Sequence, residues 1–437
     1  MQCVEWKSLD AASKRLALAR PALGQGVQVR ERVKQIIDQV KHSGDSALRQ
    51  LTLEIDHVEL KSLQVSEAEF EQAEKLVSDE QKIALDRAIA NVRKFHEAQL
   101  PSAIHVETAP GVLCEQLVRP LGSVGLYVPA GTAPLPSAVI MLAIPASVAG
   151  CARAVICTPP DAAGNANAAV LVAARKCGVA EVYKVGGAQA IAAMAYGTES
   201  IPRVDKIFGP GNAWVTAAKM AVSTDPSGCV CDMPAGPSEI MVVADANADA
   251  ELVASDLLSQ AEHGPDSQVV LVTTCRELSE QVQAQLKVQL ATLPRAEIAE
   301  KALRGSRTIL VENLETAMEV ANAYAPEHLI LQIAEPRVWL PDVQNAGSVF
   351  LGPWTPESVG DYCSGTNHVL PTYGYARSVS GLSVADFLRR MTVQELTPAG
   401  LMNIGPVAQV MAEMEGLRAH AQAVTLRLAR LIPGESA

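Results

Sequence analysis

The sequence predicts an α/β protein built from two doubly wound parallel sheets. Three observations carry that expectation. From Ser123 onward, short apolar runs alternate with helical ones. The runs are apolar on both faces, as strands covered by helices on both sides must be. They come as two successive series, and a chain of 437 residues has room for two or more domains of roughly 100–200 residues each.

Residues 1–105 are charged and read as helical, with "RERVK" at 30–34 and a long mixed run from Glu67 to His96. The first series opens with "SVGLYVP" (123–129) as strand and 135–149 as helix. "RAVICTP" (153–159) and "AAVLVAARKCG" (168–178) repeat the pair, followed by "AEVYKVGG" (180–187) and "QAIAAMAYG" (189–197). "VDKIFGP" (204–210), "AWVTAAKMAV" (213–222) and a short strand in "CVCDMP" (229–234) complete it. The second series runs "EIMVVAD" (239–245), helix 249–263, "SQVVLVTT" (267–274), helix 276–293, "RTILVEN" (307–313), helix 314–325, "HLILQIA" (328–334) and "GSVFLG" (347–352). After about residue 376 the chain reads as helical again, closing in an Arg-rich helix at about 418–432. The expected organisation is a helical N-terminal region (1–105) that packs in part on the main body, a first Rossmann-like domain (106–236), a second (237–375) and a helical tail (376–437).

Composition narrows the function classes. The net charge is −12, and nucleic-acid binding needs a clustered basic surface that is missing here. Nine cysteines, an odd number without a CxxC pair, fit reduced cytoplasmic thiols better than a disulfide framework. Glu5, Lys7, Asp10, Lys14, Arg15 and Arg20 leave no signal-peptide apolar core at the start. The stretch "SAVIMLAIPASVAGCARAVIC" (137–157) is as apolar as a membrane span. Pro145, Gly150 and Arg153 interrupt it, so it reads as buried helix, turn and buried strand, and no membrane partner is expected.

The polar chemistry gathers in four places. Gln260 and His263 stand three apart in "SDLLSQAEHGPD", on one face of a helix that stops at Gly264 and Pro265. Glu327 and His328 open a strand, where successive side chains point to opposite faces. A helix end and a strand start share the N-terminal edge of a parallel sheet, whereas ligands usually sit at the C-terminal edge. A site here must therefore be completed from a neighbouring domain or subunit. "PESVGDYCSGTNHVLPT" (356–372) reads as a long loop carrying Asp361 and His368. Glu415 and His420 would be about 140° apart on one continuous helix and read, on their own, as a solvated face. Gln260, His263, Asp361 and His420 together would make a nitrogen and oxygen site; the imidazoles favour zinc, with manganese and magnesium left open. The nearest match to GxGxxG is "GPGNAW" (209–214), with Trp214 in place of the third glycine. "YVPAGTAPLPS" (127–137) and "VGGAQA" (185–190) are also glycine-bearing turns after strands, able to bring backbone close to a phosphate or to serve only as tight turns.

Eight segments, in order, resemble histidinol dehydrogenases across nearly the whole chain: "YVPAGTAPLPS", "VGGAQAIAAMAYGT", "IFGPGNAWVTAAK", "DMPAGPSE", "LLSQAEHGPDSQ", "YAPEHL", "GDYCSGTNHVLPT" and "EGLRAHAQAVTLR". Ala130 departs from the family pattern, which often has a second glycine there. The resemblance implies oxidation of L-histidinol to L-histidine through L-histidinaldehyde with two NAD⁺, in histidine biosynthesis, by a homodimer with shared active sites and one Zn²⁺ in each. It implies Gln260, His263, Asp361 and His420 as zinc ligands, His420 coming from the partner subunit through the C-terminal tail. NAD contacts carry over to Tyr127, Gln189 and Asn212. Substrate contacts carry over to Ser238, Gln260, His263, Glu327, His328, Asp361, His368, Glu415 and His420.

Histidinol's imidazole and amine are good zinc donors, so zinc is expected to anchor substrate while His328 takes the alcohol proton and Glu327 later deprotonates a water. Cys229, Cys231 and Cys363 are the candidates for a thiohemiacetal route instead. Two rivals come from other classes. A zinc hydrolase on an α/β scaffold would form no NADH from an amino alcohol. A non-catalytic small-molecule binding protein would turn nothing over.

Overall fold

The computed structural model describes residues 1–20, 26–130, 134–233 and 236–431. Parts of the "YVPAGTAPLPS" and "DMPAGPSE" segments, and the last residue of the helix expected at 418–432, lie outside the described residues.

Two parallel sheets form where the two series predict them. In the first, the spatial order is Glu181–Lys184, Arg153–Thr158, Ser123–Tyr127, Lys206–Phe208 and Val230–Cys231. In the second it is Gln2–Glu5, Arg307–Leu310, Gln268–Thr273, Glu239–Ala244, His328–Gln332 and Ser348–Leu351. Setting aside Gln2–Glu5, both sheets begin in the middle, grow outward for three strands, then cross to the other side. The crossing leaves a topological switch between Ser123–Tyr127 and Lys206–Phe208, and another between Glu239–Ala244 and His328–Gln332.

Burial on both faces explains the unbroken apolar runs. Every residue of Glu239–Ala244, Gln268–Thr273 and His328–Gln332 is buried. The pleat sends Ile240, Val242 and Ile330 into one core with Val253, Leu257 and Val282, and Met241, Val243 and Leu329 into another with Val320 and Tyr324. Each such aliphatic side chain contributes roughly 1.5–3 kcal/mol on burial. His328, two residues from Ile330, takes the face covered by the helix Ala250–Ala261. The apolar stretch at 137–157 resolves as the buried helix Pro136–Ala149, a left-handed Gly150 and the strand Arg153–Thr158. No described helix is long and apolar enough to cross a membrane.

The structure departs from the sequence reading in three ways. The N-terminal segment is not wholly helical: Gln2–Glu5 adds a parallel edge strand to the second sheet. It makes no apolar pattern, because three of its four residues are exposed and only its backbone is recruited. The tail is not wholly helical either: Leu388–Leu396 is a strand, antiparallel to Val112–Pro120, which pairs in turn with Ile104–Ala109. The chain accordingly divides into one compact unit of Met1–Gln99 with Leu121–Asp386, and another of Leu100–Pro120 with the segment from Phe387 on. The boundary expected at 105/106 and the helical tail expected from 376 are corrected by this pairing. Finally, residues 356–372 are not all loop, since Glu357–Tyr362 forms a helix.

At the first switch, Gly209 has φ +127 and packs so tightly on Tyr127 that a Cβ would overlap its carbonyl oxygen. Both the left-handed backbone and the contact exclude a side chain. Gly209→Ala is expected to lower the unfolding free energy by about 2–3 kcal/mol, read from urea denaturation.

Candidate active site

The N-terminal edge of the second sheet collects the predicted chemistry. Gln260 lies in the last turn of Ala250–Ala261, and His263 follows just after the helix, its N–H donating to the Gln260 carbonyl at 3.2 Å. Gln260 is 0% exposed, yet neither its Oε1 nor its Nε2 has a hydrogen-bond partner among the described residues. An orphaned buried amide costs free energy, so a donor or acceptor absent from the protein itself is called for. His263, Glu357 and Asp361 each offer a ligand atom within 4.8 Å of the others. This donor set of imidazole and carboxylates, with the orphaned Gln260 oxygen, fits a divalent cation such as zinc.

His328 stands in the middle. Its Nε2 lies 3.5 Å from Asp361 Oδ1, and its Nδ1 lies 3.6 Å from Glu357 Oε1 and 3.7 Å from Glu327 Oε2. The expectation that Glu327 and His328 point apart is corrected here. Glu327 precedes the first residue of the strand, so the pleat does not bind it, and its carboxylate turns back toward the imidazole. Glu327 Oε2 accepts the Glu239 N–H at 2.9 Å, while His328 Nδ1 lies 3.2 Å from the Glu239 carbonyl oxygen. A carbonyl can only accept, so Nδ1 carries a proton, and whenever the ring is neutral Nε2 is the nitrogen that presents its lone pair. That Nε2 is buried, and among the described residues it makes no close hydrogen bond, Asp361 Oδ1 standing 3.5 Å off.

Charge dominates the electrostatics. Burial opposes the imidazolium of His328, but the carboxylates of Glu357, Glu327 and Asp361 push its pKa up to about 10. Burial pushes Glu327 up to about 8, with the nearby His328 working against the rise, and raises Glu357. Burial also works to raise Asp361, yet His328 holds it below its ordinary value. His263 and His368 are both held below 6.5 by burial.

Glu357 was not among the residues expected from sequence. It is 2% exposed, with Oε2 accepting from Ser259 Oγ at 3.1 Å and Oε1 unpartnered. The available signal was its spacing from Asp361, four residues on, which puts both carboxylates on one helix face. His368 joins the cluster through Nδ1, 2.9 Å from the Asp361 carbonyl. Ser238 immediately precedes the strand Glu239–Ala244, at this same edge. Glu415, at the C-cap of Pro398–Met414, and His420, in the first turn of Arg418–Ala429, are exposed on the other unit.

Tyr127, Gln189 and Asn212 fall around the first sheet's switch, at its C-terminal edge. Tyr127 ends the strand Ser123–Tyr127, and its hydroxyl accepts the Gly187 N–H at 3.0 Å. Gln189 sits in the first turn of Gly187–Tyr196, 1% exposed with an unpartnered Nε2. Asn212 caps Ala213–Thr224, its Oδ1 accepting from the N–H groups of Trp214 and Val215. Two helix N-termini therefore open at this edge, the arrangement that receives pyrophosphates.

A family model described as histidinol dehydrogenase matches residues 19–428. The chain is 53% identical over 431 residues to the histidinol dehydrogenase of Vibrio vulnificus, covering 99% of each. It is 54% identical over 428 residues to that of Xanthomonas euvesicatoria, covering 98% of this chain and 99% of the relative. The crystal structure of histidinol dehydrogenase from Elizabethkingia anophelis superposes with a TM-score of 0.95 at 45% identity, covering 99% of this chain and 98% of that one.

The charge arrangement makes a pH prediction. A His328 pKa raised from 6.5 to about 10 means the native protein binds that proton more tightly than the unfolded chain. The stabilisation is complete below pH 6.5 and disappears as pH rises through about 10. In metal-free protein, the His328 ring resonances should titrate far above 6.5, and Glu357→Gln should lower the midpoint; a midpoint near 6.5 in both proteins refutes the arrangement.

Proposed function

The chain belongs to the histidinol dehydrogenase family, and from that premise we propose that it oxidises L-histidinol to L-histidine through L-histidinaldehyde, reducing two NAD⁺ per turnover. The observation that carries the reading is the buried Glu327–His328 pair, with an open imidazole nitrogen beside a cluster of metal-ligand groups.

Zinc held by Gln260, His263, Asp361 and the partner subunit's His420 would supply a Lewis acid that grips the imidazole and amine of the substrate. Four ligands leave room for two substrate donors, which is why an anchoring role suits this set. Tyr127, Gln189 and Asn212 at the other sheet's edge would hold NAD, which would supply the hydride acceptor. The chain's own groups move the protons. His328, its Nδ1–H committed to the Glu239 carbonyl, takes the alcohol proton at Nε2 as the hydride leaves. Glu327 then deprotonates the water that adds to the aldehyde. Burial that lifts its pKa to about 8 makes the ionised carboxylate a stronger base than an exposed one. His368, Glu415 and Ser238 complete the substrate contacts, Glu415 from the partner in a homodimer with shared sites. Glu357 sits against the imidazole and favours its protonated form after the first proton transfer. A cysteine route has less support: Cys229 and Cys231 lie at the edge strand of the first sheet, whereas the carboxylates around His328 stand at the second.

Two expectations test the reading. Glu327→Gln should slow aldehyde oxidation by about 10²–10⁴-fold and alcohol oxidation much less, whereas His328→Asn should slow the first hydride transfer by a similar factor. Single-turnover NADH formation from L-histidinol and from the aldehyde separates them, and equal losses in both half-reactions contradict the division. Chelation should abolish NADH formation, and zinc should restore it; Gln260→Ala should weaken zinc binding, read by competition with a chromophoric chelator. Undiminished turnover by metal-free protein would exclude the metal's part.

A further inference from the structure

We propose that Arg20 is a positioning residue for the Glu327–His328 pair, acting through the Glu239 peptide and the turn that leads into Glu327. The proposal rests on the acid–base reading of that pair given above. Arg20 comes from the N-terminal segment, far in sequence from every group of the site, and its side chain is only 12% exposed. Its Nε and Nη2 donate to the two carboxylate oxygens of Glu239 at 2.5 and 2.6 Å. The same Nη2 donates to the carbonyls of Tyr324 at 2.9 Å and Ala325 at 3.3 Å, and the guanidinium carbon lies 4.0 Å from the Tyr324 ring centroid. One planar cation thereby ties the start of Glu239–Ala244 to the C-terminal end of Leu314–Tyr324.

Both tied segments lead directly to the reacting groups. The Glu239 N–H and C=O hold Glu327 Oε2 and His328 Nδ1, one on each side of the same residue. Ala325, two residues before Glu327, is left-handed at φ 55, a conformation that a residue with a Cβ keeps only when its surroundings impose it. The carbonyls that accept from the Arg20 fork are end-of-helix groups with no intrahelical partner. Tyr324 braces the clamp: its hydroxyl donates to Gln268 Oε1 at 2.7 Å and lies 3.3 Å from Glu239 Oε2, and Gln268 Nε2 donates to the Ala19 carbonyl at 3.2 Å. A lysine offers a point charge and no fork, so it cannot span carboxylate and carbonyls in this way.

The test uses the full-length, zinc-loaded protein with L-histidinol and NAD⁺. Arg20→Lys is expected to lower kcat by about 10²-fold, as sub-ångström misplacement of a base does, while KM for histidinol stays within about threefold. Methylguanidine should restore a large part of kcat to Arg20→Ala. Glu239→Gln should also lower kcat, and combining it with Arg20→Ala should cost no more than the larger single loss, because both act through one clamp. Arg20→Lys with unchanged kcat, a loss confined to KM, or additive losses in the double variant each overturn the proposal. If Arg20→Ala does not fold, Arg20→Lys and Glu239→Gln decide by the same kcat and KM measurements. Full-rate turnover by Glu327→Gln and His328→Asn removes the acid–base reading and the clamp with it, whereas full-rate Arg20→Lys removes the clamp alone.

Discussion

Around His328, three carboxylates lie within 3.5–3.7 Å of one imidazole, and Glu327, Glu357 and His328 itself are almost wholly withdrawn from water. Even a protonated imidazole cannot balance three ionised neighbours in a region of low dielectric. Everything else at this edge follows from that imbalance. It raises the affinity of His328 for a proton, while burial first of all keeps Glu327 and Glu357 reluctant to ionise; once they ionise, a local deficit of positive charge is left around His328. A divalent cation, if bound as proposed, would answer the deficit, and its charge would return His328 to the neutral form that a base requires. On that reading, metal and proton would compete for these carboxylates.

The two sheets share a strand order but are used at opposite edges. In the first, Tyr127, Gln189 and Asn212 lie at the C-terminal edge, where two helix N-termini bring the positive ends of their dipoles. In the second, the N-terminal edge carries the chemistry, where helices end and strands begin. An N-terminal edge offers no helix dipole suited to a phosphate. It does offer helix C-termini, whose partial negative charge favours cations. Under the proposed function, the nucleotide and the metal would each take the edge whose backbone electrostatics suit them.

Much of this was legible in the sequence. Runs apolar on both faces announced parallel strands, and the stop after His263 marked the edge where Gln260 would be buried. Glu357 escaped because its helix is a tertiary product. Pro356, Gly360 and the polar run from Cys363 to Asn367 read locally as loop, and only packing on Phe350, against which Gly360 leaves no room for a side chain, makes the short helix. The strand Leu388–Leu396 escaped for a different reason: it is exposed on both faces for most of its length, so no alternation betrays it. The mutual approach of Glu327 and His328 depends on where the strand begins, which a single residue decides and periodicity does not resolve.

The pairing of Gln2–Glu5 with Arg307–Leu310 has a consequence in time. During synthesis these four residues cannot settle into the sheet until some three hundred more have been made, which at 5–20 residues per second takes roughly 15–60 s. Arg20 likewise waits for Glu239, 219 residues on, and for Tyr324, 304 residues on. The strand Gln2–Glu5 must therefore wait unpaired, and the second sheet gains this edge late, by a contact of very long range rather than by local zippering.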